Sequence, residues 1–442
     1  MNAHAYPPVK IGILGLGTVG GGVTRVLARN AGEISRRAGR EIAITHAAAR
    51  NLDTTTASTA GMKLTGEGLE VVDDPEVSIV VELMGGYEPA RSLVLRALAN
   101  GKHVVTANKA LIARHGNEIF AAASAAGMMV GFEAAVAGGI PIIKAIREGL
   151  AGNRLEWIAG IINGTANYIL TEMSDKGREF PEVLAEAQAL GYAEADPTFD
   201  IEGIDAAHKL TILASIAFGI PLQFDKVYVE GIGRITRDDV AYAEQLGYRI
   251  KHLGLAHRGE RGAHLRVHPT LIPQRQLLAN VNGVMNAVLV KGDAVGQSLF
   301  YGAGAGAEPT ASAVVADIID VVRTLTADPE NRVPHLAFQP DSLSDLPVLP
   351  MAEVETAYYL RLQALDRPGV LADVTRILAD CGIGIEALMQ KEAPPSASVV
   401  PIILLINPVQ ERRMNEAIAA IEALDSIRAP VVRIRLEYLD SD

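Results

Sequence analysis

Four side chains able to hold or exchange charge crowd one short stretch of this chain: Glu194, Asp200, Asp205 and Lys209 fall within sixteen residues. The first two lie on the loop Leu190-Gly191-Tyr192-Ala193-Glu194-Ala195-Asp196-Pro197 and its continuation, and the last two open a helix. Helical period starts near Ile204 and holds to Phe218, where Gly219 and Pro221 end it. Asp205 and Lys209 are four apart and share a helix face, which Ile212 and Ile216 continue as an apolar stripe. A lysine where a charged face meets a buried one is a candidate proton donor. Burial disfavours its ammonium and the neighbouring carboxylate favours it, so the two together can poise it near neutral pH. The plainer alternative is an ordinary surface ion pair. Acids without a metal partner suit a ligand that bears an ammonium group.

These residues need a scaffold, and composition bounds it. A chain of 442 residues exceeds a single core and calls for two or three domains. A net charge of −12, with no basic cluster, argues against a nucleic-acid partner. No apolar run reaches the ~18 residues of a membrane span, and the N-terminus lacks a basic region followed by an apolar one. The lone Cys381 excludes an intrachain disulfide and a cysteine-based metal site, and a reducing cytoplasm is expected.

The chain opens on Val9–Leu14, a short β run, followed by Gly15-Leu16-Gly17-Thr18-Val19-Gly20 and a helix to about Asn30. This is G-x-G-x-x-G between strand and helix. Gly15 makes the turn, Gly17 admits a pyrophosphate, Gly20 lets helix and strand pack, and the helix N-terminus offers N–H groups to phosphate. Gly21 and Gly22 follow, and are expected to loosen the helix's first turn. The next strand, Glu41–Ala49, leads to Arg50 where an NAD-specific site places an acid. Arginine there suits a 2′-phosphate and favours NADP(H), with NAD(H) possible; the alternative is a solvated loop residue.

Further strands are expected at 78–86, ending in Gly85-Gly86, at 102–109, ending in Lys109, and at 128–141 around Glu133, Val136, Gly138 and Ile140. Ligands bind beyond the carboxyl ends of parallel strands, which brings Lys109 towards a nicotinamide, although it equally opens the next helix. Glu133 and its turn read locally as an ordinary acid in a glycine turn.

From Leu155 the order changes to a strand, helices to Asp175 and over Phe180–Leu190, the acidic loop, and then β runs at 250–257, 263–272, 287–290 and 298–301, consistent with a separate α+β domain. His252, His257, His264 and His268 on these runs have no zinc-type spacing. Gly302–Thr310 is a second glycine-rich loop before a helix from Ala311 to about Thr326, read as chain returning to the cofactor. Five prolines between Asp328 and Met351 mark a linker in which Leu336 and Phe338 pack down. The last ninety residues read βαββαβ, a ferredoxin-like module suited to ligand sensing or self-association.

The whole chain resembles homoserine dehydrogenase of the long bacterial type. The resemblance is carried by Gly15–Gly20, Val105-Thr-Ala-Asn-Lys-Ala-Leu111, Gly160-Ile-Ile-Asn-Gly-Thr-Ala-Asn-Tyr-Ile-Leu170, Leu190–Lys209 and Gly302–Thr310. The tail around Leu365-Asp-Arg-Pro-Gly-Val-Leu-Ala-Asp-Val374 looks like an ACT domain.

The resemblance implies an α/β chain of a Rossmann domain (1–135, rejoined by helix 308–327), an α+β substrate and dimerisation domain (136–307), a linker (328–352) and an ACT domain (353–442). It implies reversible NAD(P)H-dependent reduction of L-aspartate 4-semialdehyde to L-homoserine, on the route to threonine, methionine and isoleucine. Lys209 matches the proton donor and Lys109 the second lysine of the reacting centre. Glu194, Asp200 and Asp205, with Gly191 and Tyr192, match the substrate group. Gly191, Glu194 and Gly306 join Gly15, Gly17, Thr18, Val19, Gly20, Arg50 and Lys109 on the cofactor. Glu133, Val136, Gly138 and Ile140 match a structural Na+ site. A homodimer or homotetramer is implied, with threonine as an effector at the ACT domain. Deleting residues after Met351 is then expected to leave activity and remove the threonine response.

Three rivals remain for comparison. Aspartate-semialdehyde dehydrogenase needs a cysteine nucleophile, and Cys381 lies in the tail. An amine- or opine-type dehydrogenase is separable by assaying aldehyde against keto acid plus amine. A nucleotide-sensing regulator would not need the Glu194–Lys209 constellation.

Overall fold

Alternating short apolar runs and helices at the start of the chain build a parallel sheet. The computed structural model describes residues 7–50, 59–325, 332–390 and 398–439. Strands β1 (Val9–Leu14), β2 (Ile42–Ala48), β3 (Lys63–Thr65), β4 (Ile79–Glu82), β5 (His103–Thr106) and β6 (Val130–Gly131) lie in the order β3-β2-β1-β4-β5-β6, all parallel. Chain order reverses between β1 and β4, and it is there that open sheets of this kind leave a crevice for a dinucleotide. Buried Val and Ile fill β1 and β4 because both faces of the sheet are covered.

The chain divides into two units. One holds residues 1–164, 205–227 and 284–346, the other 165–204, 228–283 and 347–442. The later strands, in chain order, are β7 (Leu155–Ile161), β8 (Tyr228–Val229), β9 (Tyr248–Arg258), β10 (Ala263–Pro273), β11 (Met285–Gly292), β12 (Gly296–Ala303), β13 (Glu355–Leu365), β14 (Ile385–Gln390), β15 (Val399–Gln410) and β16 (Val432–Leu436).

In the first unit, β7, β11 and β12 form an antiparallel ladder beside the parallel sheet's own core. Helix Ala307–Thr324 returns to the dinucleotide-type sheet: its Val314, Ile318 and Val321 share a core with Val23, Val26 and Leu27 of helix Thr18–Arg29. That helix starts four residues before the expected Ala311, and its expected end at Thr326 lies outside the described residues, as do linker positions 328–331. The remaining linker does pack down. Leu336 is buried, and the Phe338 ring lies so close to Gly219 that a Cβ there would meet it at 2.8 Å.

Two expectations are corrected in this unit. The 128–141 stretch is not a long strand: only Val130–Gly131 pairs, and a 3-10 turn follows at Glu133–Ala135. The Asp317 carboxylate takes the Glu133 amide at 2.8 Å and turns the chain out of the sheet. Helix Ile204–Phe218 has no charged face bordering an apolar one, since every residue from Asp205 to Phe218 is buried.

In the second unit, β13, β14, β15 and β16 form the βαββαβ module in the order β16-β13-β15-β14. Side-chain alternation gives its sheet two cores. Tyr358, Leu360 and Leu362 pack with Val374, Leu378 and Met414 of the module's own helices, Val370–Asp380 and Glu411–Glu422. Tyr359, Ile403, Leu405 and Ile434 pack instead with Ile169, Met173, Val183 and Val240 of helices Gly164–Lys176, Phe180–Ala189 and Arg237–Gln245. The module is also not left with a free edge at β16, which pairs in parallel with β10 (Thr270↔Arg435, Leu271↔Leu436). Its strand at 383–391 is Ile385–Gln390, and Lys391 lies outside the described residues.

Helix Arg237–Gln245 escaped the sequence reading although Thr236 and Asp239 form a capping box before it. Its hydrophobic period is short and polar. Asp239 is used twice, accepting from the buried Arg361 at 2.6 and 3.0 Å.

Candidate active site

The glycine turn after β1 has the shape a dinucleotide needs. Gly15 sits at φ +102°, where an L side chain is strained. A Cβ on Gly20 would come 2.2 Å from the Gly15 carbonyl, whereas one on Gly17 would meet nothing within 4 Å. One glycine is therefore required by packing and the other leaves open space over a helix N-terminus that no side chain caps. Thr18 and Val19 are the first residues of that helix. Gly22, expected to loosen it, is instead a packing requirement: a Cβ there would lie 2.3 Å from the Ala307 carbonyl. Gly306 caps the returning helix without any side-chain hydrogen bond, and the Ala307 carbonyl next to it is the atom that closes on Gly22 of the cofactor helix. Arg50 is exposed just beyond the carboxyl end of β2.

Beyond β4 and β5 the exits are fixed by a residue that the sequence reading passed over. Glu82 is fully buried and accepts from Thr106 Oγ1 at 2.6 Å, Met84 N at 2.8 Å and Gly85 N at 3.3 Å. Burial pushes its carboxyl up while those hydrogen bonds pull it down, and the net shift is upward. Asn108 donates to the Gly86 carbonyl at 2.7 Å and caps the Lys109–Ala126 helix by accepting from Leu111 N at 3.0 Å. Lys109 is thus presented from an anchored helix start. The signal was an acid inside an otherwise apolar strand, Ile79-Val-Val-Glu82.

Lys109 and Lys209 meet on one carboxylate. Asp205 Oδ1 lies 2.8 Å from Lys109 Nζ, and Oδ2 accepts from Lys209 Nζ at 2.7 Å and from Asn163 Nδ2 at 2.8 Å. Lys209 also donates to the Ile162 carbonyl at 2.7 Å. The loop after β7 therefore aims the lysine that the helix supplies. Burial alone would raise the Asp205 carboxyl, but Lys209 and Lys109 hold it well below the usual carboxylate range. The pair is not the surface bridge that its spacing allowed, since Lys209 is 8% exposed. His208, beside it in sequence, stacks on Phe224 at 4.3 Å with Tyr87 Oη 3.5 Å from its Nε2, and burial lowers it to about 4.

Glu194, Asp200, Gly191 and Tyr192 belong to the second unit. There Thr165 Oγ1 donates to the Tyr192 carbonyl at 2.6 Å, and Gln188 Nε2 donates to the carbonyls of Glu194 and Ala195 at 3.1 and 3.2 Å. Gly191 turns the chain at φ +75°, Tyr192 lies edge-on to Tyr168, and Asp200 sits on the short helix Thr198–Ile201. Glu194 occupies an exposed loop position.

Glu133 is buried, with its oxygens accepting from Ile143 N and Lys144 N at 2.9 Å each. Burial and then Asp317 push it up to about 7, because its surroundings disfavour a further negative charge. Ala137 at φ +53° and Gly138 at φ +31° turn the chain between Val136 and Ile140. A carboxylate and backbone carbonyls are oxygen donors of the kind hard cations take. His252, His257, His264 and His268 do serve the strands: His257 and His264 stack at 5.0 Å, and His252 contacts the Glu230 carbonyl at 3.0 Å. Among the described residues no cluster of three or more His, Cys, Asp or Glu is placed to hold a metal ion, and no helix is long and apolar enough to cross a membrane.

Comparison with known proteins agrees with this layout. The family models for the homoserine dehydrogenase NAD-binding domain, homoserine dehydrogenase and the ACT domain match residues 15–133, 141–319 and 358–425. The chain is 67% identical to a homoserine dehydrogenase of Pseudomonas aeruginosa over 98% of its own length and 100% of that protein. It is similar to the crystal structure of a homoserine dehydrogenase from Thiobacillus denitrificans, with a TM-score of 0.94 and 68% identity over 98% of this chain and 99% of that one. A hyperthermophilic archaeal homoserine dehydrogenase mutant, solved in complex with NADPH, aligns at a TM-score of 0.61 and 28% identity, over 71% of this chain and 97% of that one. With its glycine turn, its lysine-flanked buried aspartate and its C-terminal ACT module, the chain belongs to the homoserine dehydrogenase family of NAD(P)-dependent oxidoreductases.

Proposed function

We propose that the chain interconverts L-aspartate 4-semialdehyde and L-homoserine, with Lys209 as proton donor to the aldehyde oxygen. The observation that carries this reading is the buried Asp205 carboxylate held between Lys109 at 2.8 Å and Lys209 at 2.7 Å. When bound, the nicotinamide supplies the hydride to the carbonyl carbon. Negative charge then develops on the oxygen, and Lys209 delivers a proton to it, becoming a neutral amine that is reprotonated from solvent. Lys109 places a second positive charge at the same carboxylate and stabilises the developing alkoxide. Asp205, with the Ile162 carbonyl and Asn163, orients the two ammonium groups before reaction.

Glu194 and Asp200, with Gly191 and Tyr192, are assigned the substrate's ammonium group on the family resemblance. The glycine turn, Thr18, Val19, Lys109, Gly191, Glu194 and Gly306 are assigned the cofactor, and exposed Arg50 supports NADP(H) over NAD(H). Na+ is assigned to Glu133 and the carbonyls of Val136, Gly138 and Ile140, in a structural role, on the family resemblance. The domain limits 1–135, 136–307, 328–352 and 353–442, a homodimer or homotetramer, a cytoplasmic location, a place in threonine, methionine and isoleucine formation, and threonine binding at the ACT domain complete the proposal.

The deciding experiment is Lys209→Ala assayed with aspartate semialdehyde and NADPH. Turnover is expected to fall by about a thousandfold with NADPH binding retained. Turnover that survives the substitution sinks the assignment.

A further inference from the structure

The last strand of the ACT module reaches outside that module. Arg435, on β16, is completely buried. It donates to both oxygens of Glu411 at 3.0 and 2.5 Å, to Glu230 Oε2 at 2.8 Å and to Tyr228 Oη at 3.1 Å, with its guanidinium 4.9 Å from the Tyr228 ring. Tyr228 donates in turn to Glu230 Oε2 at 2.9 Å. A buried guanidinium satisfied this way cannot move without leaving a charge unpaired, so it pins whatever holds its acceptors.

What it pins is the 228–232 segment, and that segment seats the end of the acidic loop. Ile232 N donates to the Ile201 carbonyl at 2.9 Å. A Cβ on Gly231 would lie 2.5 Å from the same carbonyl, so the two chains touch backbone to backbone. The Glu230 carbonyl meets His252 Nε2 at 3.0 Å, and a Cβ on Gly203 would come 3.0 Å from the His252 ring. Gly203 N donates to the Asp200 carbonyl at 3.2 Å, which ties Asp200 to this seat.

We infer that Arg435 is a positioning residue for the acidic loop: acting through Glu230 and Tyr228, it fixes the backbone on which Ile201–Gly203, and with them Asp200, rests. The inference depends on the proposal that Glu194 and Asp200 hold the substrate's ammonium group. It gives the ACT module a part in substrate binding with no effector present. Deleting residues after Met351 would remove Arg435 together with any effector site, so that deletion is expected to weaken substrate binding as well.

The test is steady-state kinetics on the full-length chain carrying Tyr228→Phe, Glu230→Gln, Gly231→Ala or Arg435→Lys. KM for aspartate semialdehyde and for homoserine is expected to rise about fivefold in Glu230→Gln and Gly231→Ala, the size of one lost charged hydrogen bond, with smaller rises in the two conservative variants. Turnover at saturation is expected to change less than about twofold, because Lys209 is not touched, and NADPH affinity is expected to change less than KM for the substrate, because the seat holds Ile201–Gly203 rather than Gly191 or Glu194 and leaves the glycine turn untouched. Unchanged KM in folded protein overturns the inference, and so does activity that falls only with the folded fraction. Should Arg435→Lys fail to fold, Tyr228→Phe and Glu230→Gln at half-buried positions still decide it. Glu194→Gln and Asp200→Asn are run beside them. If these leave KM unchanged, the ammonium reading fails and the inference with it; if they raise KM while the seat variants do not, the inference about Arg435 fails alone.

Discussion

Asp205 and Lys109 open two different helices, yet the ammonium of one lies 2.8 Å from the carboxylate of the other. With Lys209 on the second oxygen, two cations share one buried anion. The arrangement carries net positive charge, and on the function proposed above that charge is what a developing alkoxide needs.

Asp205→Asn removes that shared anion, and turnover is expected to fall at least about a hundredfold. Acid stability should also change in a defined direction. Lys209 and Lys109 hold the folded carboxyl below its unfolded value of about 3.9, overcoming burial. The ionised group's stabilisation is therefore complete above about pH 4 and is lost as pH falls towards the depressed folded value. Thermal melts below about pH 4 should fall more steeply for the unaltered chain than for Asp205→Asn; parallel slopes would show that the carboxylate carries no such linkage.

Arg50→Ala separates the two nicotinamide cofactors. Loss of an arginine–phosphate contact is worth about tenfold in KM for NADPH, and NADH, which lacks the 2′-phosphate, should be almost unaffected. An equal effect on both cofactors would return Arg50 to the solvated loop.

Glu133 is raised to about 7 by burial and by Asp317, so without a cation the folded state binds the extra proton between about pH 4.5 and 7. Stability is then expected to decline as pH rises through that window in sodium-free buffer. Sodium should flatten the decline, and Glu133→Gln should abolish both effects. Melts in sodium chloride and in tetramethylammonium chloride make the comparison, and identical curves would dismiss the Na+ assignment.

Lys251 is buried, donates to the Val281 carbonyl at 2.7 Å and to Asn282 at 3.1 Å, and burial lowers it to about 8 from 10.5. Between those values the unfolded chain binds more protons than the folded one, so this residue makes stability rise with pH across the window. In Lys251→Met that contribution should vanish. A pH dependence that persists unchanged would assign it to another group.

Much of the site was legible in the sequence because its signals are local. The 3.6-residue period gave helix Ile204–Phe218 its limits, i,i+4 spacing put Asp205 over Lys209, and strand-turn-helix context singled out Gly15, Gly17 and Gly20. Likewise the βαββαβ order of the tail followed from alternating short runs. What remained illegible depends on chain segments far apart in sequence. Periodicity reports that a face is covered but not by what, so the burial of the whole Ile204–Phe218 helix was missed, as was the pairing of β16 with β10.

The sequence by itself determined which residue types are present, which elements carry them, and that Lys209 has an acid one turn away. Only the tertiary structure decided that Lys109 shares that acid, that Asn163 and the Ile162 carbonyl aim the pair, that Glu82 fixes two strand exits, and that Gly22 is empty of a side chain because the Ala307 carbonyl needs the space. The physical reason is range: propensity and spacing act over a few residues, whereas a hydrogen bond or a close backbone approach depends on where packing brings the other end of the chain.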